Sequence, residues 1–177
     1  MSTKRWVCLA FVVLAVPGMV AADDSKATVF GGYSFCNLRL TQNYFHGFGL
    51  GVRYDLHPNF GVAADFSNTY SGEDDTFRTF HAGPVLMVQT NRIKPFLHVL
   101  LGARNLTVRY QVRTNKFVES ETALSVLTGG GLDIDGGGRF GWRAVQADFV
   151  YHDETEFGEF ARHPWDLKLS TGIILRF

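Results

Sequence analysis

The last thirteen residues of the chain, 165–177, read WDLKLSTGIILRF and indicate its fold class. Every second position carries an apolar or small uncharged side chain, namely Leu167, Leu169, Thr171, Ile173, Leu175 and Phe177. The alternate positions carry Lys168, Ser170, Gly172 and Arg176, with Ile174 as the exception. Because successive side chains of a β-strand point to opposite faces, the stretch predicts a strand with one apolar and one polar face.

Seven further stretches of the chain show the same period of two. They are residues 28–36, 46–56, 60–68, 78–89, 95–104, 122–134 and 141–152. A tilted strand crosses a bilayer in about 9–11 residues, so each stretch is long enough to span a membrane.

The predicted connections alternate in length. Residues 57–59, 90–94 and 135–139 carry the Pro, Asn and Gly chemistry of tight turns. Residues 37–45, 69–77, 105–121 and 153–164 are longer and richer in charge. The sequence therefore predicts an all-β fold, an eight-stranded antiparallel up-and-down transmembrane β-barrel with short periplasmic turns and four longer extracellular loops.

The polar face of the strands carries charges of both signs. Assigning this face to the lumen places eight charged side chains there: Arg53, Arg104, Lys168, Arg176, Asp55, Asp65, Asp133 and Asp148. A buried charge without a partner costs several kcal/mol, so the four positive and four negative charges predict an interlocked network that plugs the lumen. The alternative is that some of these charges lie near the rims and are solvated independently.

Aromatic side chains cluster at the predicted strand ends, as in the interfacial belts of membrane barrels. Tyr70, Phe77, Phe80, Tyr110, Tyr151 and Trp165 are expected at the outer rim, and Tyr54, Phe60, Phe96, Trp142 and Phe177 at the periplasmic rim. Aromatic residues favour strands in general, so this observation does not decide the assignment alone.

The N-terminus has the layout of a signal peptide. Lys4 and Arg5 precede an apolar run that is too short for a transmembrane helix, and the small residues before position 23 fit a cleavage site. We expect residues 1–22 to be a cleaved signal peptide and residues 23–177 to form one barrel domain. The mature chain would then hold one cysteine, Cys36, which we expect to be an unreactive small residue. Its nearly balanced charge gives no reason to expect nucleic acid as a partner.

The chain resembles the OmpA-type and OmpX-type outer-membrane β-barrels, the outer membrane protein β-barrel domain family. The resemblance rests on VFGGYS at 29–34, KPFLH at 94–98, GGGLD at 129–133, QADF at 146–149 and LSTGIILRF at 169–177. It implies that Leu169, Ile173, Leu175 and Phe177 form the C-terminal signal for assembly. It also implies a monomer in the outer membrane of a Gram-negative bacterium, with outer-membrane lipid, lipopolysaccharide, the β-barrel assembly machinery and periplasmic chaperones as partners.

Fold alone does not determine the task of such a barrel. A structural or surface-interaction role is the main prediction, with a narrow porin-like channel as the alternative. A soluble lipocalin-like binder and a lipid A-modifying enzyme are the weaker alternatives. The histidines His46, His81, His98, His152 and His163 have no recognisable catalytic set beside them in the sequence. We therefore expect no enzyme activity, no cofactor and no metal.

Overall fold

The computed structural model describes residues 26–38, 43–71, 75–90, 92–112, 115–152 and 165–177. They form eight strands: β1 (Ala27–Leu38), β2 (Asn43–His57), β3 (Phe60–Tyr70), β4 (Thr76–Met87), β5 (Ile93–Val112), β6 (Asn115–Asp135), β7 (Phe140–His152) and β8 (Trp165–Arg176). The predicted signal peptide lies outside the described residues. No helix among those residues is long and apolar enough to cross a membrane.

Each strand pairs antiparallel with its sequence neighbour, and β1 pairs with β8 to close the sheet. Closure runs from Thr28 opposite Arg176 to Asn37 opposite Leu167. The prediction of an eight-stranded antiparallel up-and-down barrel is thus confirmed. We call the end with the connections at 58–59, 88–92 and 136–139 the turn end and the opposite end the loop end.

The alternation of side chains divides the barrel into a polar interior and an apolar outer surface. Charged side chains such as Asp133, Asp148 and Lys168 are almost fully buried in the interior. Outward-facing Leu97 and Leu101 are each 66% exposed. This distribution is the reverse of that in a water-soluble barrel, where apolar side chains fill the interior.

Two glycines let the first and last strands approach closely. Gly32 lies opposite Gly172, and a Cβ added at Gly32 would come within 2.1 Å of the carbonyl oxygen of Thr171 and 2.7 Å of Gly172 Cα. A Cβ at the neighbouring Gly31 would meet only the Leu50 side chain, at 3.7 Å. Closure at this level therefore requires glycine at position 32.

The structure corrects the predicted strand lengths. The segment 105–121 was expected to be a loop, but β5 continues to Val112 and β6 begins at Asn115. These extensions pair with each other, with Leu106 opposite Glu121 and Val108 opposite Glu119. The prediction was wrong because the alternation of apolar and polar residues continues past Asn105, so the hairpin can extend without a neighbouring strand.

Two aromatic side chains lie on the face opposite to the predicted one. Phe77 is completely buried and Phe96 is 4% exposed, so neither belongs to an outer belt. Both share the inward side with their alternating neighbours, Thr79 beside Phe77 and His98 beside Phe96. The other predicted belt residues whose side chains are described are exposed: Tyr54, Phe60, Tyr70, Phe80, Trp142, Tyr151, Trp165 and Phe177.

Candidate functional site: the interior polar network

Asp133 is the centre of the charge cluster near the turn end. Its carboxylate accepts hydrogen bonds from Arg53 Nη1 at 3.1 Å, from Arg143 Nε at 2.8 Å and from Arg143 Nη2 at 3.3 Å. The Nε of Arg53 donates to Asp55 at 2.9 Å. Two arginines therefore share one fully buried carboxylate. A second carboxylate, that of Asp55, offsets the remaining positive charge.

The guanidinium group of Arg143 is enclosed by two aromatic rings. Its central carbon lies 4.4 Å from the ring centroid of Phe30 and 4.5 Å from that of Phe96. Cation–π contacts of this kind gain strength when they are desolvated. Arg143, on β7, thereby connects β1, β5 and β6 across the interior.

A chain of hydrogen bonds continues from Arg143 toward the middle of the barrel. Arg143 Nη1 donates to Gln146 Oε1 at 2.6 Å, and Gln146 Nε2 donates to Asp148 Oδ2 at 2.6 Å. Asp148 also lies 2.8 Å from His98 Nε2. Lys168 donates to Asp65 and lies 3.5 Å from Asp148. The interior polar network thus runs without a break from Asp55 to Asp65.

Further toward the loop end, the interior contains a second charge group and then apolar side chains. Arg104 lies 3.5 Å from Asp166, whose carboxylate is 3.6 Å from His152 Nε2. A buried apolar cluster follows, consisting of Cys36, Leu38, Phe45, Phe77 and Leu106. Cys36 packs within this cluster and is 1% exposed.

A small cavity lies inside the network. A cavity of about 20 Å³ lies among Thr28, Arg53, Asp65, His98 and Arg143. A water molecule needs about 10–15 Å³ measured in this way. The cavity can therefore hold about one water molecule between the charged groups.

The eight predicted lumen charges all lie in the interior, but they do not form one closed set. Arg53, Asp55 and Asp133 meet, as do Asp65, Asp148 and Lys168. The other two predicted cations pair outside the predicted set, Arg104 with Asp166 and Arg176 with Asp135 at 3.0 Å.

Sequence reasoning missed Arg143 because a register irregularity interrupts strand β7. The pairing with β8 shifts between Arg143 and Gln146. Strict alternation from Asp148 would place Arg143 on the outer face, whereas its side chain is inside and buried. Asp166 and Gln146 carried a usable signal, since each lies two residues from a predicted lumen charge, Lys168 and Asp148 respectively.

The residues of the expected assembly signal lie on the outer face of β8. Ile173 is 53% exposed and Phe177 is 37% exposed, while Leu169 and Leu175 are half-buried. The backbone of Phe177 exchanges two hydrogen bonds with Ala27, at 2.8 and 3.1 Å. The last residue of the chain is therefore part of the closure.

One serine and histidine pair inside the barrel has the spacing of a nucleophile and its base. His81 Nε2 lies 2.8 Å from Ser125 Oγ. The Nδ1 atom of His81 has no hydrogen-bond partner among the described residues, so the third group that orients a catalytic base is not seen there. Both side chains are buried in the lumen, away from the apolar outer surface. No group of three or more potential metal ligands occurs among the described residues.

The fold and the interior define a closed eight-stranded barrel that is polar inside and apolar outside. Several solved structures share this fold. The attachment invasion locus protein Ail of Yersinia pestis is 21% identical, with a TM-score of 0.62 over 85% of this chain and 97% of that one. Neisserial surface protein A is 13% identical, with a TM-score of 0.64 over 85% of this chain and 96% of that one.

The N-terminal β-barrel domain of Pseudomonas aeruginosa OprF is 12% identical, with a TM-score of 0.56 over 86% of this chain and 98% of that one. The chain therefore has the fold of the eight-stranded outer-membrane barrels, as the sequence resemblance implied. No protein-family model matches the sequence. No curated protein matches it either.

Proposed function

We propose that this protein is an integral outer-membrane β-barrel with a structural or surface-interaction role and no catalytic one. The observation that carries the proposal is the apolar outer surface combined with the charged interior. Transferring exposed leucines and aromatic rings into hydrocarbon is favourable, while paired charges remain inside. The likeness to known outer-membrane barrels supports the same placement, with the turn end in the periplasm and the loop end outside the cell.

A soluble lipocalin-like barrel fits this surface poorly. Such a protein would expose Leu97, Val99, Leu101 and Leu132 to water together. Soluble monomers seldom expose contiguous apolar patches larger than a few hundred Å². The outer surface therefore favours lipid as its solvent.

We propose further that the interior polar network closes the lumen. The interior polar network from Asp55 to Asp65 crosses the interior. The buried apolar cluster of Cys36, Leu38, Phe45, Phe77 and Leu106 lies beyond it. The cavity within the network has room for about one water molecule. A continuous ion path would require several of these contacts to open together.

Membrane fractionation combined with a gel of boiled and unboiled samples tests the placement. We expect the protein in the outer-membrane fraction. The unboiled sample should migrate faster than the boiled one, because detergent alone does not unfold the closed barrel. Deletion of Phe177 should reduce that fast band, since this residue takes part in closure. Recovery in the soluble fraction, with identical mobility in both samples, would contradict the proposal.

Conductance in planar bilayers tests the closed lumen. The purified barrel should show no steady single-channel current, because charged groups and the apolar cluster block the path. Regular current steps from the unaltered protein would support the channel alternative instead. The gel described above, run on the same preparation, shows that the sample contains folded barrel.

A further inference from the structure

Three polar side chains lie together on the outer surface where the apolar band ends. Asn68 on β3 is opposite Arg78 on β4, and both face outward because the residues beside them, including Ser67 and Thr79, are buried inside. Tyr70 is the next outward residue on β3 and is 44% exposed. These three side chains lie at the loop end of the two strands.

The apolar band begins immediately below this group. Phe66 lies opposite Phe80, one outward position closer to the turn end. Phe80 is 58% exposed, and Phe66 packs against Phe48 with ring centroids 6.1 Å apart. The three polar groups therefore occupy the level at which acyl chains give way to headgroups under the proposed function.

The hydrogen bonds within the group leave donors at both ends. Arg78 Nε donates to Asn68 Oδ1 at 3.3 Å, and Asn68 Nδ2 donates to the hydroxyl oxygen of Tyr70 at 2.5 Å. Asn68 thus accepts a hydrogen bond from the arginine and donates one to the tyrosine. The two terminal nitrogens of Arg78 and the hydroxyl proton of Tyr70 remain available for an acceptor outside the described residues.

Arg78 also has a distinctive position among the cations. We consider the outer face of the barrel wall between the turns and the level of Thr107. Among the described side chains, Arg78 is the one Lys or Arg on this part of the surface. A guanidinium group held at Nε presents its remaining N–H groups as a planar fork that matches phosphate. The arrangement calls for an anion with several oxygens.

We infer that Asn68, Tyr70 and Arg78 form a binding site for a phosphate group of an outer-leaflet glycolipid, with Phe66 and Phe80 contacting its acyl chains. The inference rests on the proposed function, since it needs the loop end to face the outer leaflet. Arg78 binds the phosphate through its terminal nitrogens, and Tyr70 donates a further hydrogen bond. Asn68 positions both groups and contributes no direct contact.

Native mass spectrometry of the purified mature barrel with diphosphoryl lipid A tests the site. We expect Arg78→Gln to weaken lipid A binding about tenfold and Tyr70→Phe about threefold, in line with charge-assisted and neutral hydrogen bonds. Arg92→Gln is the matched control, because Arg92 is an exposed arginine at the turn end. Lipid A stripped of phosphate should bind the unaltered barrel as weakly as diphosphoryl lipid A binds Arg78→Gln.

Three results would overturn the inference: unchanged binding by Arg78→Gln, equal binding of phosphorylated and phosphate-free lipid A, or displacement of lipid A by excess inorganic phosphate. The last would mean that the site takes a free anion. The gel of boiled and unboiled samples distinguishes failure of this inference from failure of the proposed function. If the barrel inserts but Arg78→Gln leaves lipid A binding unchanged, this site alone is overturned. If the chain forms no membrane barrel, the proposed function is overturned as well.

Discussion

At the scale of single residues, Asp133 determines whether two arginines can be buried. Its two oxygens accept hydrogen bonds from Arg53 and Arg143, and it has no exposed surface. Replacing one member of a buried ion group leaves the partners charged in a medium of low polarity. The stability of the turn-end half of the interior should depend on this carboxylate more than on any partly exposed one.

We expect Asp133→Asn to lower the free energy of unfolding by about 3–5 kcal/mol, the usual cost of breaking a buried ion pair. The measurement is the urea midpoint of the barrel folded into lipid vesicles. Asp55→Asn is the control, because Asp55 is 17% exposed and its carboxylate pairs with Arg53 alone among the described side chains. A midpoint for Asp133→Asn equal to that of the control would contradict the central role of Asp133.

The residue scale also shows the limit of sequence reasoning. Alternation correctly placed Asp148 and Lys168 inside, since both lie on regular stretches of strand. It failed for Arg143, because one irregularity in β7 reverses the parity of every residue on its far side. Charge partners were also unpredictable, since Arg104 on β5 and Asp166 on β8 meet across the interior from strands that do not pair with each other.

At the scale of elements, strands β1 and β8 form the contact that turns a sheet into a barrel. The alternating pattern predicted both strands, and the up-and-down barrel predicted from the eight strands implied their pairing. The pattern gave no indication of how close the two strands come, because the approach depends on Gly32 lying opposite Gly172. It also underestimated β5 and β6, whose extensions pair only with each other beyond β4 and β7 within the described chain.

Gly32→Ala should hinder closure, because the new methyl group would meet the backbone of Thr171 and Gly172. We expect most of the fast-migrating folded band to be lost in refolding into detergent micelles. Gly31→Ala differs by one position and should fold normally, since its Cβ would make an ordinary contact with Leu50 at 3.7 Å. Equal folded fractions for the two variants would show that β1 and β8 can move apart at Gly32 without loss of folded barrel.

At the scale of the whole molecule, the outer surface sets the environment that the barrel requires. Val99, on β5 between Leu97 and Leu101, is 50% exposed in the middle of the apolar band. Leu124, on β6, is 82% exposed and lies just beyond Ser125, the last residue that β6 shares with β7. The two positions therefore sample the centre and the edge of the band.

We expect Val99→Arg to destabilise the vesicle-folded barrel by about 2–4 kcal/mol and Leu124→Arg by about 0–1 kcal/mol, since the cost of a lipid-facing arginine depends on depth. Urea titration in vesicles measures both. In water, surface substitutions of this kind usually change stability by less than about 0.5 kcal/mol. Near-neutral effects at both positions would therefore indicate an aqueous environment.

The pairing of Ala27 with Phe177 has a consequence for the order of folding. Every other strand pair of the barrel joins neighbours in sequence, and their connections are short compared with the length of the whole domain. The β1–β8 pair must bring together residues separated by nearly the whole domain, at the largest entropic cost. The first strand thus keeps an unsatisfied edge until the last strand pairs with it, and during this interval the folding chain most needs protection from aggregation.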